Sequence, residues 1–306
     1  QKNLLQQRIE QSLLAFSDDQ DEHGDHYYFF VLENTATGQI IGTSAIDAAI
    51  GRKTPFYSYK ISRVTHTCPS LNVRNENQFL QLVNNYQDCN EICTLYLYQK
   101  KKKNGNGLLL SLARFLFMAQ FPGCFAERVI ADMRGVADDQ GESPFWASLG
   151  KHFFNMTFEQ ADKLTIETDK QFISDLMPRK SIYTALLTPE ARQAIGRVHP
   201  HTERALQILQ NEGFRHHGYI DIFDAGATIE ANFSDIRSIK QSQQIVIKAI
   251  KPEINHDKDY YMANCQRGFR ACKNTLIIEP DGCVINAKVA EQLSVNVGSP
   301  IRYLAR

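Results

Sequence analysis

Glu91-Ile92-Cys93-Thr94-Leu95-Tyr96-Leu97-Tyr98 runs into Gln99-Lys100-Lys101-Lys102-Lys103-Asn104-Gly105-Asn106-Gly107, and the apolar run from Leu108 follows at once. The first eight residues mix β-branched and aromatic side chains and predict a strand. Leu108 to about Phe121 predicts a helix, with Gly123 in its C-terminal cap region. Between the two, Gly105 and Gly107 admit positive φ and let the backbone approach a ligand closely. The helix start offers N–H groups and the positive end of its dipole, an anion site. The run Lys100–Lys103 adds charge at the entrance. A pyrophosphate or a phosphorylated carrier is the natural ligand of such a turn. A tight strand-to-helix connection with a solvated lysine face accounts for the same residues, and the glycines alone favour it. The sequence disfavours a nucleotide P-loop, because GxxxxGK[ST] does not occur.

Working outward, Leu4, Leu5, Ile9, Leu13 and Leu14 recur at helical spacing, so an amphipathic helix is expected to end near Phe16. Tyr27–Glu33 and Ile40–Ile46 are β-prone runs joined by Asn34-Thr35-Ala36-Thr37-Gly38-Gln39, which predicts a hairpin. Residues 47–90 predict a strand followed by irregular structure. Arg128–Met133 predicts a short strand. Ser143-Pro144 and Thr188-Pro189 are helix starts, a capping residue followed by proline, the first helix continuing to Gly150 and the second to Gly196. Thr202–Asn211 predicts a helix ended by Gly213, and Tyr219–Phe223 a strand. From Ser234 onward short β-prone runs (Gln244–Ile250, Thr275–Glu279, Ile301–Leu304), with Pro280-Asp281-Gly282 as a turn, predict a small β-rich appendage. Residues 145–154 and 205–214 share a pattern of helix, glycine break and aromatic, which leaves a duplicated fold open.

Composition narrows the function classes. Among 306 residues, 34 Lys+Arg balance 34 Asp+Glu, so broad electrostatic binding of nucleic acid or anionic membrane is not expected. Hydrophobic residues are 43% of the chain, enough for a core without disulfide or metal staples. No window approaches the ~20 consecutive apolar residues that span a bilayer. The opening Gln1-Lys2-Asn3-Leu4 has no signal-peptide order and no initiator Met, so a preceding segment is expected. Cys68, Cys89, Cys93, Cys124, Cys265, Cys272 and Cys283 form no CxxC pair, and the histidines show no HExxH. Reduced thiols in a cytoplasmic protein, no metal and no permanently bound cofactor are the expectation.

The order hairpin, strand, basic x-x-Gly-x-Gly loop, helix, strand, helix and strand resembles the GNAT-like acyl-CoA N-acyltransferase superfamily. A narrower resemblance rests on longer strings: Met133-Arg134-Gly135-Val136, Ser143-Pro144-Phe145-Trp146, Ser148-Leu149-Gly150-Lys151, Leu176-Met177-Pro178, Val198-His199-Pro200, Glu212-Gly213-Phe214-Arg215 and Asp221-Ile222-Phe223-Asp224. In order and spacing, from about residue 28 to 240, they are similar to the arginine N-succinyltransferase family. The resemblance implies an α+β fold with a GNAT-like core. Its sheet would be mixed and mainly antiparallel, flanked by helices, with a small β-rich C-terminal region. The expected segments are 1–165 for an acyl-CoA-binding half, 166–235 for a half carrying a catalytic histidine, and 236–306 for the β-rich region.

The implied activity is succinyl transfer from succinyl-CoA, a cosubstrate, to the α-amino group of L-arginine, the first step of arginine degradation to glutamate and succinate. His199 maps to the acid/base position; Pro200 restricts it to an extended backbone. Leu95, Lys102, Lys103, Gly105, Asn106 and Gly107 are implied in acyl-CoA binding, a backbone N–H near Leu95 being the oxyanion donor. Arg134 is a candidate clamp for a substrate carboxylate, and Asp132, Asp138, Asp139 and Glu142 are candidate acids for the guanidinium. Without the resemblance, His199 reads as a surface histidine, Leu95 as core and Arg134 as a structural ion-pair partner. The sequence departs from the family where Tyr98-Gln99-Lys100-Lys101-Lys102 replaces Asp-Pro-Lys-Trp-Arg, since Lys102 lacks the planar fork that grips phosphate. His201 replaces a glutamine. Direct attack in a ternary complex is expected, with Cys93 a core thiol, and a homo-oligomer as the assembly. The alternatives are a succinyltransferase for ornithine or a related amino acid, and a non-catalytic acyl-CoA-binding subunit.

Overall fold

In chain order the elements are α1 (Lys2–Ser17), β1 (Tyr27–Asn34), β2 (Gln39–Asp47), β3 (Ser58–Cys68), β4 (Val73–Val83), β5 (Asn90–Leu97), α2 (Asn106–Gln120) and β6 (Arg128–Asp132). They continue with α3 (Pro144–Ser148), α4 (Gly150–Phe154), α5 (Phe158–Glu167), α6 (Gln171–Leu176), β7 (Ile182–Tyr183), α7 (Pro189–Ala194), α8 (Glu203–Asn211), β8 (Arg215–Ile220) and β9 (Ala227–Asn232). The last are α9 (Arg237–Gln241), β10 (Gln243–Lys251), β11 (Asp259–Asn264), β12 (Ala271–Thr275), β13 (Ile277–Glu279), β14 (Gly282–Asn286), α10 (Ala287–Leu293) and β15 (Pro300–Ala305). The computed structural model describes residues 2–17, 22–98, 105–138, 140–167, 171–255 and 258–305, the side chains of 2–4, 166 and 167 excepted. Among them no helix is long and apolar enough to cross a membrane.

Two compact units are present. Unit 1 contains Gln1–Ala49, Asn90–Val129 and Asn232–Arg306, and unit 2 contains Ile50–Cys89 and Ile130–Ala231. These units do not follow the expected segments 1–165, 166–235 and 236–306. The chain enters and leaves unit 1 more than once, and linear order hides that.

In unit 1, β1, β2 and β5 lie side by side and antiparallel. Tyr28 and Ile92 both face Ile46 across the ladder, and Phe30 faces Ser44, so these residues share one surface. Phe117 of α2 packs there, with ring centroids 4.8 Å from Tyr28 and 5.5 Å from Phe30. Leu110–Met118 of α2 are all buried, as expected of a helix covered all round. Its remaining cover is α9 and the C-terminal sheet, order β12-β11-β15-β10-β14-β13, of which β11, β12 and β15 touch α2. The β-rich tail is therefore part of this unit's core rather than an appendage. Met262, Leu276, Cys283, Ile285, Val289 and Ile301 form the interior between that sheet and α10.

In unit 2 the sheet order is β6-β9-β8-β3-β4-β7, counting the last three residues of β6. Trp146, Phe145, Tyr59, Leu80 and Ile220 are its buried centre, and the Trp146 indole donates to the Met156 carbonyl at 3.0 Å. Both predicted proline starts are capped: Ser143 accepts from Trp146 N–H and Thr188 from Ala191 N–H.

Several expectations need correction. Residues 58–83 are a long hairpin, paired from Ser58 opposite Val83 to Cys68 opposite Val73. Its far end is exposed, so polar residues fill it and no apolar alternation marks it. The helix expected through Gly150 breaks at Leu149. The strand expected at 219–223 is Arg215–Ile220; Asp221 ends it by accepting the N–H groups of Phe223 and Asp224. The α+β expectation holds, with mixed, mainly antiparallel sheets, flanking helices and a β-rich C-terminal region.

Candidate active site

In unit 1 the strand that opened the reading carries a bulge. Tyr96 lies opposite Thr43 and Cys93 opposite Ala45, so Thr94 and Leu95 together face Ser44. Thr94 sits at φ 55°, a left-handed conformation that β-branched residues avoid. Two contacts hold it there: its hydroxyl shares a hydrogen bond with Tyr27 at 3.0 Å, and its carbonyl accepts from the Thr43 hydroxyl at 3.1 Å; opposite the bulge, the Ser44 hydroxyl donates to the Leu110 carbonyl at 3.2 Å. Beyond the bulge Leu95, Tyr96 and Tyr98 are exposed. Leu95 is thus not core.

Gly105 follows as the cap of α2 with φ 79°, and no side chain caps the helix. Space is open around Gly105, so the left-handed φ rather than crowding calls for glycine. Asn106 and Gly107 begin α2. Lys102 and Lys103, with the rest of 99–104, lie outside the described residues. Burial pushes the Cys93 thiol up to about 12, which leaves no thiolate for a covalent intermediate. All seven cysteines are free.

In unit 2, Arg134 and His199 are brought together. The His199 N–H donates to the Arg134 carbonyl at 2.8 Å. His199 caps the short turn after it: its Nδ1 accepts from His201 N–H at 3.1 Å, and its carbonyl accepts from Thr202. In the neutral ring Nδ1 therefore holds the lone pair and Nε2 the proton. Lost hydration, then the Arg134 guanidinium and His201, hold His199 below its ordinary value, so it is neutral near neutral pH. Asp162 on α5 feels the same guanidinium, while partial burial raises its carboxyl. No sequence signal pointed to Asp162.

What anchors this pair is the Asp221–Phe223–Asp224 corner. Asp224 accepts the N–H groups of Gly135 at 2.6 Å and Gly226 at 2.8 Å, and Gly196 N–H bonds to the Ala225 carbonyl at 2.8 Å. A Cβ on Gly135 would stand 2.4 Å from the Asp224 carbonyl oxygen, so only glycine fits there. Burial raises both carboxyls, and at Asp221 the neighbouring Asp224 adds to the rise. Of the candidate acids, Asp132 accepts from the Thr228 hydroxyl. Asp138 closes its own loop through Gln140 and Glu142 N–H, and Glu142 is exposed. Asp139 lies outside the described residues. An open cavity of about 320 Å³ is lined by Gly196, Arg197, Val198, Glu203, His216 and Ile229, among others; neither His199 nor Arg134 is in its lining. Among the described residues no cluster is arranged as a metal site.

The model of the arginine N-succinyltransferase beta subunit matches residues 1–238, and that of its C-terminal domain residues 243–305. The chain belongs to the arginine N-succinyltransferase family. It is 42% identical to an arginine N-succinyltransferase subunit beta of Pseudomonas aeruginosa, over 97% of this chain and 87% of that one. It is 41% identical to an arginine N-succinyltransferase of an Enterobacter species, over 90% of this chain and 81% of that one. The arginine/ornithine succinyltransferase subunit AI of Pseudomonas aeruginosa has a solved structure that superposes with a TM-score of 0.88 at 34% identity, covering 98% of this chain and 88% of that one. Members of this family are acyltransferases, and the matched segments include Thr94, Leu95, Gly105, Arg134, Gly135, His199 and Asp224.

Proposed function

We propose that the chain transfers the succinyl group of succinyl-CoA to the α-amino group of L-arginine in a ternary complex. The observation that carries this reading is the bulged strand β5 leading to a left-handed glycine turn at the start of α2. For the acyl-CoA, the first N–H groups of α2 meet the pyrophosphate, helped by Lys102 and Lys103, and a backbone N–H at Leu95 meets the thioester oxygen. The arginine amine attacks the thioester carbon, the C–N bond forms, and the C–S bond breaks with coenzyme A leaving as thiolate. His199 takes the excess proton from the new amide nitrogen on Nδ1, in exchange for the His201 contact. Arg134 pairs with a substrate carboxylate.

Seven free thiols suit a reducing cytoplasm, and a homo-oligomer is the proposed assembly, which sedimentation tests. Release of free thiol from succinyl-CoA tests the activity. It is expected to saturate with arginine, to be slower with ornithine and to vanish without an amine. Equal rates with acetyl-CoA, or coenzyme A binding without turnover, contradict the reading.

A further inference from the structure

Along the buried stretch of α2 one side chain is charged. Arg114 is 1% exposed, and among the described residues no carboxylate pairs with it. Its partners are neutral. Nε donates to the Ser111 carbonyl at 3.3 Å, Nη2 to the Ser111 hydroxyl at 3.0 Å, and Nη1 to the Cys93 carbonyl at 3.5 Å. Desolvation lowers the guanidinium to about 10, so it stays a cation at neutral pH. A buried cation without a counter-charge is costly, and an apolar side chain of similar volume serves stability as well or better. The Cys93 carbonyl belongs to the peptide that enters Thr94, the residue strained at φ 55°. Two costs thus meet at one short segment of backbone, which points to function rather than to stability.

We propose that Arg114 is a positioning residue for acyl transfer: it holds the Cys93 carbonyl, fixes the Thr94–Leu95 bulge and keeps positive charge behind the strand where the thioester oxygen becomes negative. The proposal rests on the acyl-transfer reading above. A fixed charge in a dry interior needs no reorganisation during reaction. It acts on the negative transition state more than on the neutral thioester, so its effect falls on kcat.

The test compares the full-length Arg114→Met and Arg114→Lys variants with the unaltered chain. For Arg114→Met, thermal unfolding is expected at the same temperature or higher. Its kcat is expected to fall about 10–100-fold, with KM for succinyl-CoA within about twofold. Arg114→Lys is expected to recover most of that loss. Hydrogen–deuterium exchange at Thr94–Tyr96 is expected to quicken in the methionine variant and not in the lysine variant, a readout that needs no turnover. Unchanged kcat, a rise in KM alone, unchanged exchange, or a methionine variant that does not fold each overturn the proposal. If the unaltered chain binds coenzyme A and releases no thiol, the functional reading fails while the exchange test still decides the role of Arg114 in holding the bulge.

Discussion

In unit 1 the features at Thr94 and Gly105 belong to the main chain: a bulge, two left-handed residues and the uncapped start of a helix. In unit 2 the groups proposed for chemistry, at Arg134 and His199, are side chains on a main chain that ties the two residues together. The scaffolds differ accordingly. The bulge is held by hydroxyls and one guanidinium, whereas the Arg134–Gly135 segment is held by a buried carboxylate that accepts two N–H groups. Backbone recognition tolerates side-chain change and fails when φ is disturbed; side-chain chemistry behaves the other way round.

That contrast breaks most directly at His199. His199→Ala is expected to lower kcat about 100–10,000-fold while calorimetric binding of coenzyme A survives. Unchanged turnover removes His199 from the mechanism and dissolves the division of labour. The next effect is on the anchor of unit 2. Gly135→Ala drives a Cβ against Asp224 and is expected to cost about 1–3 kcal/mol in denaturant unfolding, with loss of turnover. Full stability means that the Asp224 corner yields, and the account of a rigid anchor is wrong.

Arg134→Gln sharpens the comparison through pH. Arg134 helps to hold His199 below its ordinary value, so the basic form persists to lower pH and the acid limb of kcat/KM lies below about 6.5. Removing the guanidinium is expected to move that limb upward, though not fully, because lost hydration is the larger cause and remains. KM for arginine is expected to rise about tenfold or more, the worth of a charged hydrogen bond. An unmoved limb separates Arg134 from the histidine. The smallest effect belongs to Gly105→Ala. A left-handed φ costs a non-glycine residue about 1 kcal/mol, so KM for succinyl-CoA is expected to rise about fivefold with KM for arginine unchanged. A change in the arginine constant instead places the glycine turn on the wrong substrate.

The same contrast explains what could be read from the chain before folding. Glu91–Tyr98, the glycine turn, the α2 helix and the capped starts at Ser143 and Thr188 were legible because local chemistry decides them. Strings of neighbours single out His199 and Arg134 as candidates, and the structure joins the two through their backbones. The bulge was not, since Thr94 looks like an ordinary strand residue and only its register against Thr43 and Ala45 reveals the extra residue. Asp162 and Arg114 were hidden for another reason: each acts on a group distant in sequence, and nothing in the residues around them marks the partner. The long hairpin of residues 58–83 was missed because an exposed ribbon carries no hydrophobic alternation.

Mass spectrometry of the product formed from succinyl-CoA and L-arginine tests the central claim most directly. The account predicts arginine carrying one succinyl group on its α-nitrogen, formed in step with free coenzyme A and lost in His199→Ala. A succinyl group on the side chain, or coenzyme A released without any acylated arginine, contradicts it.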